Sequence, residues 1–255
     1  MIFTDTHAHV YSSEFLNETE DCFKRTLVND VKRVFVPNVD IESITPLKAV
    51  CTAYKENYFP MMGLHPCSVK EGFESDLQII YDELISTKYY AVGEIGMDLY
   101  WDKTTFNIQR TAFIEQSGWA IKLDLPVSIH SRDSTQELID IIKEEKLTNL
   151  RGIFHCFTGD EVQAIELINM GFYLGIGGVI TYKNSTLPQV LKFIGYEKLV
   201  LETDAPYLPP TPHRGKRNET SYIPLIAEKL SQIFEVSIDE IAEITTSNSK
   251  KVFGI

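Results

Sequence analysis

Imidazole and carboxylate groups stand at or just past the ends of several separate apolar runs in this chain, which is what a metal-centred active site needs. Asp5-Thr6-His7-Ala8-His9 closes the first run. Side chains alternate along an extended strand, so His7 and His9 share a face. His130 ends Pro126-Val127-Ser128-Ile129, and His155 ends Gly152-Ile153-Phe154. Glu94 lies in Ala91-Val92-Gly93-Glu94-Ile95-Gly96, and Asp204 follows Leu199-Val200-Leu201-Glu202-Thr203. Each has an ordinary explanation by itself: a satisfied buried histidine, a glutamate paired with arginine, a turn aspartate before Ala205-Pro206. Together they do not, because polar groups ending five buried strands are costly unless something pairs them.

Four imidazoles and two carboxylates suit Zn²⁺, Mn²⁺, Fe²⁺ or Co²⁺, whereas pure Mg²⁺ sites prefer oxygen alone. A tetrahedral ion with one open position uses about three protein ligands. Six candidates therefore point to two divalent metal ions per chain, Zn²⁺, Mg²⁺ or Mn²⁺. Glu94 is the expected bridge; His7, His9 and Asp204 complete one ion, His130 and His155 the other. Two ions about 3.5–4 Å apart acidify a shared water towards a pKa of about 7 and stabilise charge in an in-line displacement. Asp204 has a second expected task, moving the proton of that water to the leaving oxygen, so Glu94 and Asp204 are the candidate catalytic residues.

Less specific features surround this set. His65, in Gly63-Leu64-His65-Pro66, is a candidate contact for substrate phosphate or a plain turn residue. Arg214, Lys216 and Arg217 concentrate positive charge after the eighth apolar run, and Arg214 suits bidentate phosphate binding. Glu202, two residues before Asp204, is a candidate to orient a ligating histidine or a strand-end charge. Asp98, Tyr100 and Trp101 follow the fourth run; the aromatics can stack on bases or cover a rim. Cys156 is set aside as a ligand, because it points away from His155 if the strand continues.

The elements that must position these residues alternate. Short β-branched runs occupy 2–5, 33–37, 58–63, 90–95, 126–130, 152–155, 172–176 and 199–202. Leu77, Ile80, Tyr81 and Leu84 are spaced as on an amphipathic helix, and 107–122 and 134–145 read similarly. Eight such units predict an α/β fold, a distorted (β/α)₈ TIM barrel, over an open doubly wound sheet. In a barrel the six residues would converge on one mouth. Gly175-Ile176-Gly177-Gly178 reads as a tight exit from strand seven, and no nucleotide-binding glycine motif is present. Ser237-Ile238-Asp239-Glu240 reads as a capping box opening the last helix. With 255 residues and no composition break, one hydrolase domain over 1–255 is expected.

The balance of 24 basic against 36 acidic residues, a net charge of −12, argues against a broad grip on duplex DNA but allows a local phosphate site. The sequence has no apolar stretch of membrane length and no signal-peptide pattern, and its four cysteines are scattered. A reduced, cytoplasmic protein without an obligate protein partner is the expectation.

The chain resembles the TatD family of metal-dependent deoxyribonucleases, within the amidohydrolase-like barrels. Matching motifs are Asp5-Thr6-His7-Ala8-His9, Gly63-Leu64-His65-Pro66, Gly93-Glu94-Ile95-Gly96-Met97-Asp98, Phe154-His155-Cys156-Phe157-Thr158-Gly159 and Leu201-Glu202-Thr203-Asp204-Ala205-Pro206-Tyr207-Leu208. The stretch Arg214-Gly215-Lys216-Arg217-Asn218-Glu219 is also similar, with Thr220 where the family usually has proline, and Met97 stands where leucine is usual. The resemblance implies a distorted TIM barrel with two divalent metals at His7, His9, Glu94, His130, His155 and Asp204. It also implies phosphodiester hydrolysis on DNA ends or single strands. The rival readings are an amidohydrolase or lactonase, an aminoacyl-tRNA deacylase on the same centre, and a non-catalytic metal-binding barrel. Relatives of the amidohydrolase type often bridge their metals with a modified lysine on strand four, and 90–97 contains none.

Overall fold

The computed structural model describes residues 1–255. Its strands are β1 (Phe3–Asp5), β2 (Val31–Pro37), β3 (Tyr58–Met61), β4 (Val92–Asp98), β5 (Val127–Arg132), β6 (Gly152–Phe154), β7 (Tyr173–Ile176) and β8 (Leu199–Leu201). Its helices are α1 (Thr19–Val28), α2 (Ile44–Ala53), α3 (Phe73–Ser86), α4 (Phe106–Leu123), α5 (Thr135–Glu144), α6 (Glu161–Asn169), α7 (Leu187–Ile194), α8 (Ile223–Phe234) and α9 (Ile238–Phe253). Every strand pair is parallel, in one arc β1-β2-β3 and a second β4-β5-β6-β7-β8.

The two arcs meet at two seams. At one, Met62 bridges Val92 and Gly93 N–H donates to Met62 O at 3.0 Å. At the other, Ala8 bridges Ala205 and Thr6 N–H donates to Leu201 O at 2.9 Å. Short bridges replacing full ladders are the distortion of this α/β barrel.

Nearly continuous burial along the strands explains their β-branched composition, since helices cover the outer face and side chains fill the interior. Phe35, Met61, Ala91, Ile153 and Val200, from five points around the ring, cluster with Val252 and Phe253 of α9. The Phe253 ring stacks on Phe35 with centroids 3.5 Å apart. The barrel therefore has a packed floor beneath the strand ends, and Glu94 and the histidines sit above it.

Strand limits differ from the sequence reading in ways that matter. β4 runs to Asp98, so Asp98 is a strand residue, not a loop residue beyond the strand. β5 continues two residues past His130. β6 stops at Phe154, and Cys156 adopts φ 47°, so the alternation used to set Cys156 aside does not operate there. Ser237 does cap α9 by accepting Glu240 N–H at 3.1 Å, but the box is half-formed. The Glu240 carboxylate instead accepts Tyr196 O–H at 2.6 Å. A complete box stands at Asp160 and Gln163, opening α6. No helix is long and apolar enough to cross a membrane.

Candidate metal centre

Glu94 is almost fully buried, and its two carboxylate oxygens face different neighbours. Oε2 lies 3.3 Å from His7 Nε2 and 3.5 Å from His9 Nε2. Oε1 lies 2.9 Å from His130 Nδ1, 2.9 Å from His155 Nε2 and 3.4 Å from His65 Nε2. Asp204 Oδ1 joins the first side, 3.5 Å from His9 Nε2 and 3.9 Å from His7 Nε2. Three groups of side chains are thereby able to hold a metal ion: His7, His9 and Glu94; His7, His155 and Asp204; His65, Glu94 and His130. All six residues singled out by the sequence converge, and His65 joins them. His155 is shared between the sides, since its ring also stacks on His7 at 3.8 Å. It does not belong to the His130 side alone.

The backs of the imidazoles are also held. His7 Nδ1 lies 3.1 Å from Ser128 Oγ, His9 Nδ1 3.3 Å from the Tyr11 hydroxyl, and His130 Nε2 3.0 Å from Asp98 Oδ2. His155 Nδ1 lies 3.3 Å from Glu202 Oε1 but off the hydrogen-bond direction, leaving that buried nitrogen without a partner. A partner behind the rings of His7, His9 and His130 fixes the tautomer and turns the opposite nitrogen inward. The sequence reading raised Glu202 as a residue that orients a histidine and did not raise Ser128, Tyr11 or Asp98 for this role. For two of them a signal was available: Ser128 is two residues before His130 on β5 and Asp98 four after Glu94 on β4, even offsets of one strand face, whereas Tyr11 lies in the loop beyond β1.

Asp5 pins the two chain segments that carry ligands. Its carboxylate accepts His7 N–H at 3.2 Å, Thr203 N–H at 3.0 Å and Thr203 Oγ1–H at 2.6 Å. Burial raises its pKa to about 8 against those hydrogen bonds. Asn218, buried, donates to Thr203 O at 2.7 Å and Tyr207 O at 2.6 Å, fixing the turn around Asp204. Asp204 itself has φ 57°, a left-handed conformation that aspartate tolerates better than most residues. Gly175 leaves the room that Glu202 occupies, because a Cβ there would collide with the Glu202 carboxylate.

The electrostatics ask for a cation. Glu94, Asp98, Glu202 and Asp204 are gathered here, and the ion pairs in the cluster are all with histidines. Burial by itself would raise the Glu94 carboxyl, but the charges of His65, His7 and His155 and the His130 hydrogen bond hold it well below the usual range. Asp204 is lowered similarly, against burial, chiefly by His9. Burial lowers His7 and His65, whereas at His155 the nearby Glu94 and Glu202 charges overcome burial and raise it. Convergent imidazole and carboxylate donors and the lack of any Lys or Arg partner fit a divalent ion.

The remaining candidates lie further out. His65 Nδ1 accepts Cys67 N–H at 3.1 Å, which leaves Nε2–H directed at Glu94. Arg214 is exposed, its guanidinium 4.2 Å from the Tyr182 ring centre, and contacts none of the converging residues. Arg217 is not a free phosphate ligand: it donates to Glu18 at 2.7 Å and to Glu14 O at 2.6 Å and lies over Phe15. The cleft beside it, lined by Arg25, His213, Lys216 and Glu219 among others, contains none of the converging residues. Cys156 is not in the metal-capable groups, and its thiol is held protonated by burial and by Asp204 and Glu202.

Known proteins give this geometry a context. The sequence profile of the TatD related DNase family matches residues 4–254. YabD of Bacillus subtilis, described as an uncharacterized metal-dependent hydrolase, is 39% identical over 100% of both chains. The crystal structure of YjjV, a TatD homologue from Escherichia coli K12, superposes with a TM-score of 0.90 at 30% identity, covering 99% of this chain and 98% of that one. The lactonase Lmo2620 from Listeria monocytogenes shares the fold at a TM-score of 0.70 and 13% identity, covering 98% and 94% of the two chains. Kinship over the whole length, together with a buried cluster suited to a cation, makes this chain a metal-dependent hydrolase of the TatD-related DNase family.

Proposed function

We propose that the protein is a two-metal phosphodiesterase acting on DNA, at ends or in single strands. The observation that carries this reading is the division of Glu94, with Oε2 towards His7 and His9 and Oε1 towards His130 and His155. One ion would be held by His7, His9, Asp204 and Glu94, the other by His130 and Glu94 with His155, which reaches both sides, completing it. Zn²⁺, Mn²⁺ and Mg²⁺ are the candidate ions. Such ions, when bound, supply Lewis acidity that acidifies water and neutralises charge on a phosphoryl group.

The chain's own groups do the rest. Asp204 Oδ1, ionised and partly open to solvent, takes the proton of the attacking water and returns it to the leaving oxygen. His65 Nε2–H donates to a phosphoryl oxygen, and Glu202 steadies His155. Arg214, braced on Tyr182, meets a phosphate further along the strand. One domain spanning 1–255 provides all of this, since its ligands come from both halves and α9 packs against β1 and β8.

The test is a substrate panel. Protein stripped by chelator should lose cleavage of a labelled single-stranded oligodeoxynucleotide and regain it with Mn²⁺, Mg²⁺ or Zn²⁺. Restored protein that opens lactones or cleaves aminoacyl esters while leaving DNA intact would replace this reading with one of its rivals.

A further inference from the structure

A cation and two aromatic rings, packed on one another, stand exposed beside the metal centre. Tyr100 and Trp101, just past β4, are 53% and 70% exposed, so they do not cover the rim. Arg132, at the end of β5, is also exposed and has no carboxylate partner, in a chain of net charge −12. Its guanidinium carbon lies 3.9 Å from the Tyr100 ring centre and 5.2 Å from that of Trp101. The two rings meet edge to face at 4.9 Å.

Backbone geometry ties this cluster to the site. Asp98 Oδ2 faces His130, while Oδ1 accepts Tyr100 N–H at 3.0 Å and Trp101 N–H at 3.2 Å. Arg132 pairs in register with Asp98 and lies two residues beyond His130, on the same strand face. One carboxylate thus sets both the imidazole and the turn that presents the rings. A guanidinium with no carboxylate partner beside exposed rings matches a ligand with alternating negative charges and flat π-faces. A single nucleic-acid strand has that chemistry.

We propose that Tyr100, Trp101 and Arg132 form a subsite for the nucleotide flanking the scissile bond, Trp101 and Tyr100 stacking its base and Arg132 meeting its phosphate. The proposal rests on the phosphodiesterase reading above and adds base recognition to it. Stacking of this kind tolerates any base, so the subsite confers preference for single strands with exposed bases, not for a sequence.

Binding and cleavage are measured separately. Binding of a short labelled oligothymidylate and of an abasic deoxyribose-phosphate strand of equal length is followed by anisotropy in chelator at low salt. Trp101 is one of two tryptophans, so Trp119→Phe also makes its fluorescence a direct reporter of stacking. The wild type should bind the base-bearing strand about tenfold more tightly and show quenching. Trp101→Ala should abolish that preference, Trp101→Phe should retain part of it, and Arg132→Ala should weaken both strands and flatten the salt dependence. Equal affinity for the two strands, no binding of either, or a preference that survives Trp101→Ala would overturn the subsite. Base-preferring binding without cleavage after metal is restored would leave the subsite standing and remove the nuclease reading. Cleavage without base preference would do the reverse.

Discussion

Ser128 has no acid–base role of its own, yet its hydroxyl helps decide which nitrogen of His7 turns inward. The same holds for Tyr11 behind His9 and Asp98 behind His130. Removing such a partner commonly costs about 10–100-fold in metal affinity. Ser128→Ala should therefore weaken metal binding by about tenfold or more, measured by competition with a chromophoric chelator; unchanged affinity would show that packing alone orients His7. The convergence of His7, His9, Glu94, His130, His155 and Asp204 was legible because each ends, follows or, for Glu94, lies within a run whose apolar character made it a strand. The roles of Ser128 and Tyr11 were less so, since a serine within β5 carries no distinctive composition and Tyr11 lies in the loop after β1. Arg217 adds to the positive charge that the sequence concentrates after the eighth run, but sequence does not show Glu18, just ahead of α1, which occupies it.

Between elements, the fold is tied by a few buried polar contacts. Asp5 joins the end of β1 to the turn after β8. Arg25 of α1 grips Glu219 ahead of α8 through Nε to Oε1 at 2.9 Å and Nη2 to Oε2 at 2.6 Å. Burial by itself would raise the Glu219 carboxyl, but Arg25 and the Ser221 hydroxyl lower it. A carboxyl depressed in the folded state stabilises above its unfolded pKa, about 4.3, and that contribution is lost as pH falls through the depressed value. Glu219→Gln should accordingly lower Tm by a few degrees at neutral pH, and the gap to wild type should close below about pH 4. Thermal scans across pH in a common chelator buffer check this, and a gap independent of pH would assign the effect to packing. Element order was legible from periodicity, but limits were not. Strand β4 carries on to Asp98 because hydrogen bonding to β5 continues there, and no local sequence cue reports a partner strand.

At the scale of the molecule, the ring geometry brings together groups that the chain separates by up to about two hundred positions, His7 and Asp204. The amphipathic pattern foretold strands, helices and a common mouth. The two seams, where single bridges replace ladders, depend on how the ring closes and left no mark in the sequence. The acidic surface, the cation-seeking interior and the exposed Tyr100–Trp101–Arg132 cluster fit the proposed reading, an enzyme that would hold metal in its interior and an anionic strand locally. That description depends first on cations occupying the space around Glu94. Anomalous-difference maps from crystals soaked in Mn²⁺ test it most directly. Two peaks are expected, one among His7, His9 and Asp204 and one among His130 and His155, with the Glu94 carboxylate between them. A map without density among these side chains would contradict the account.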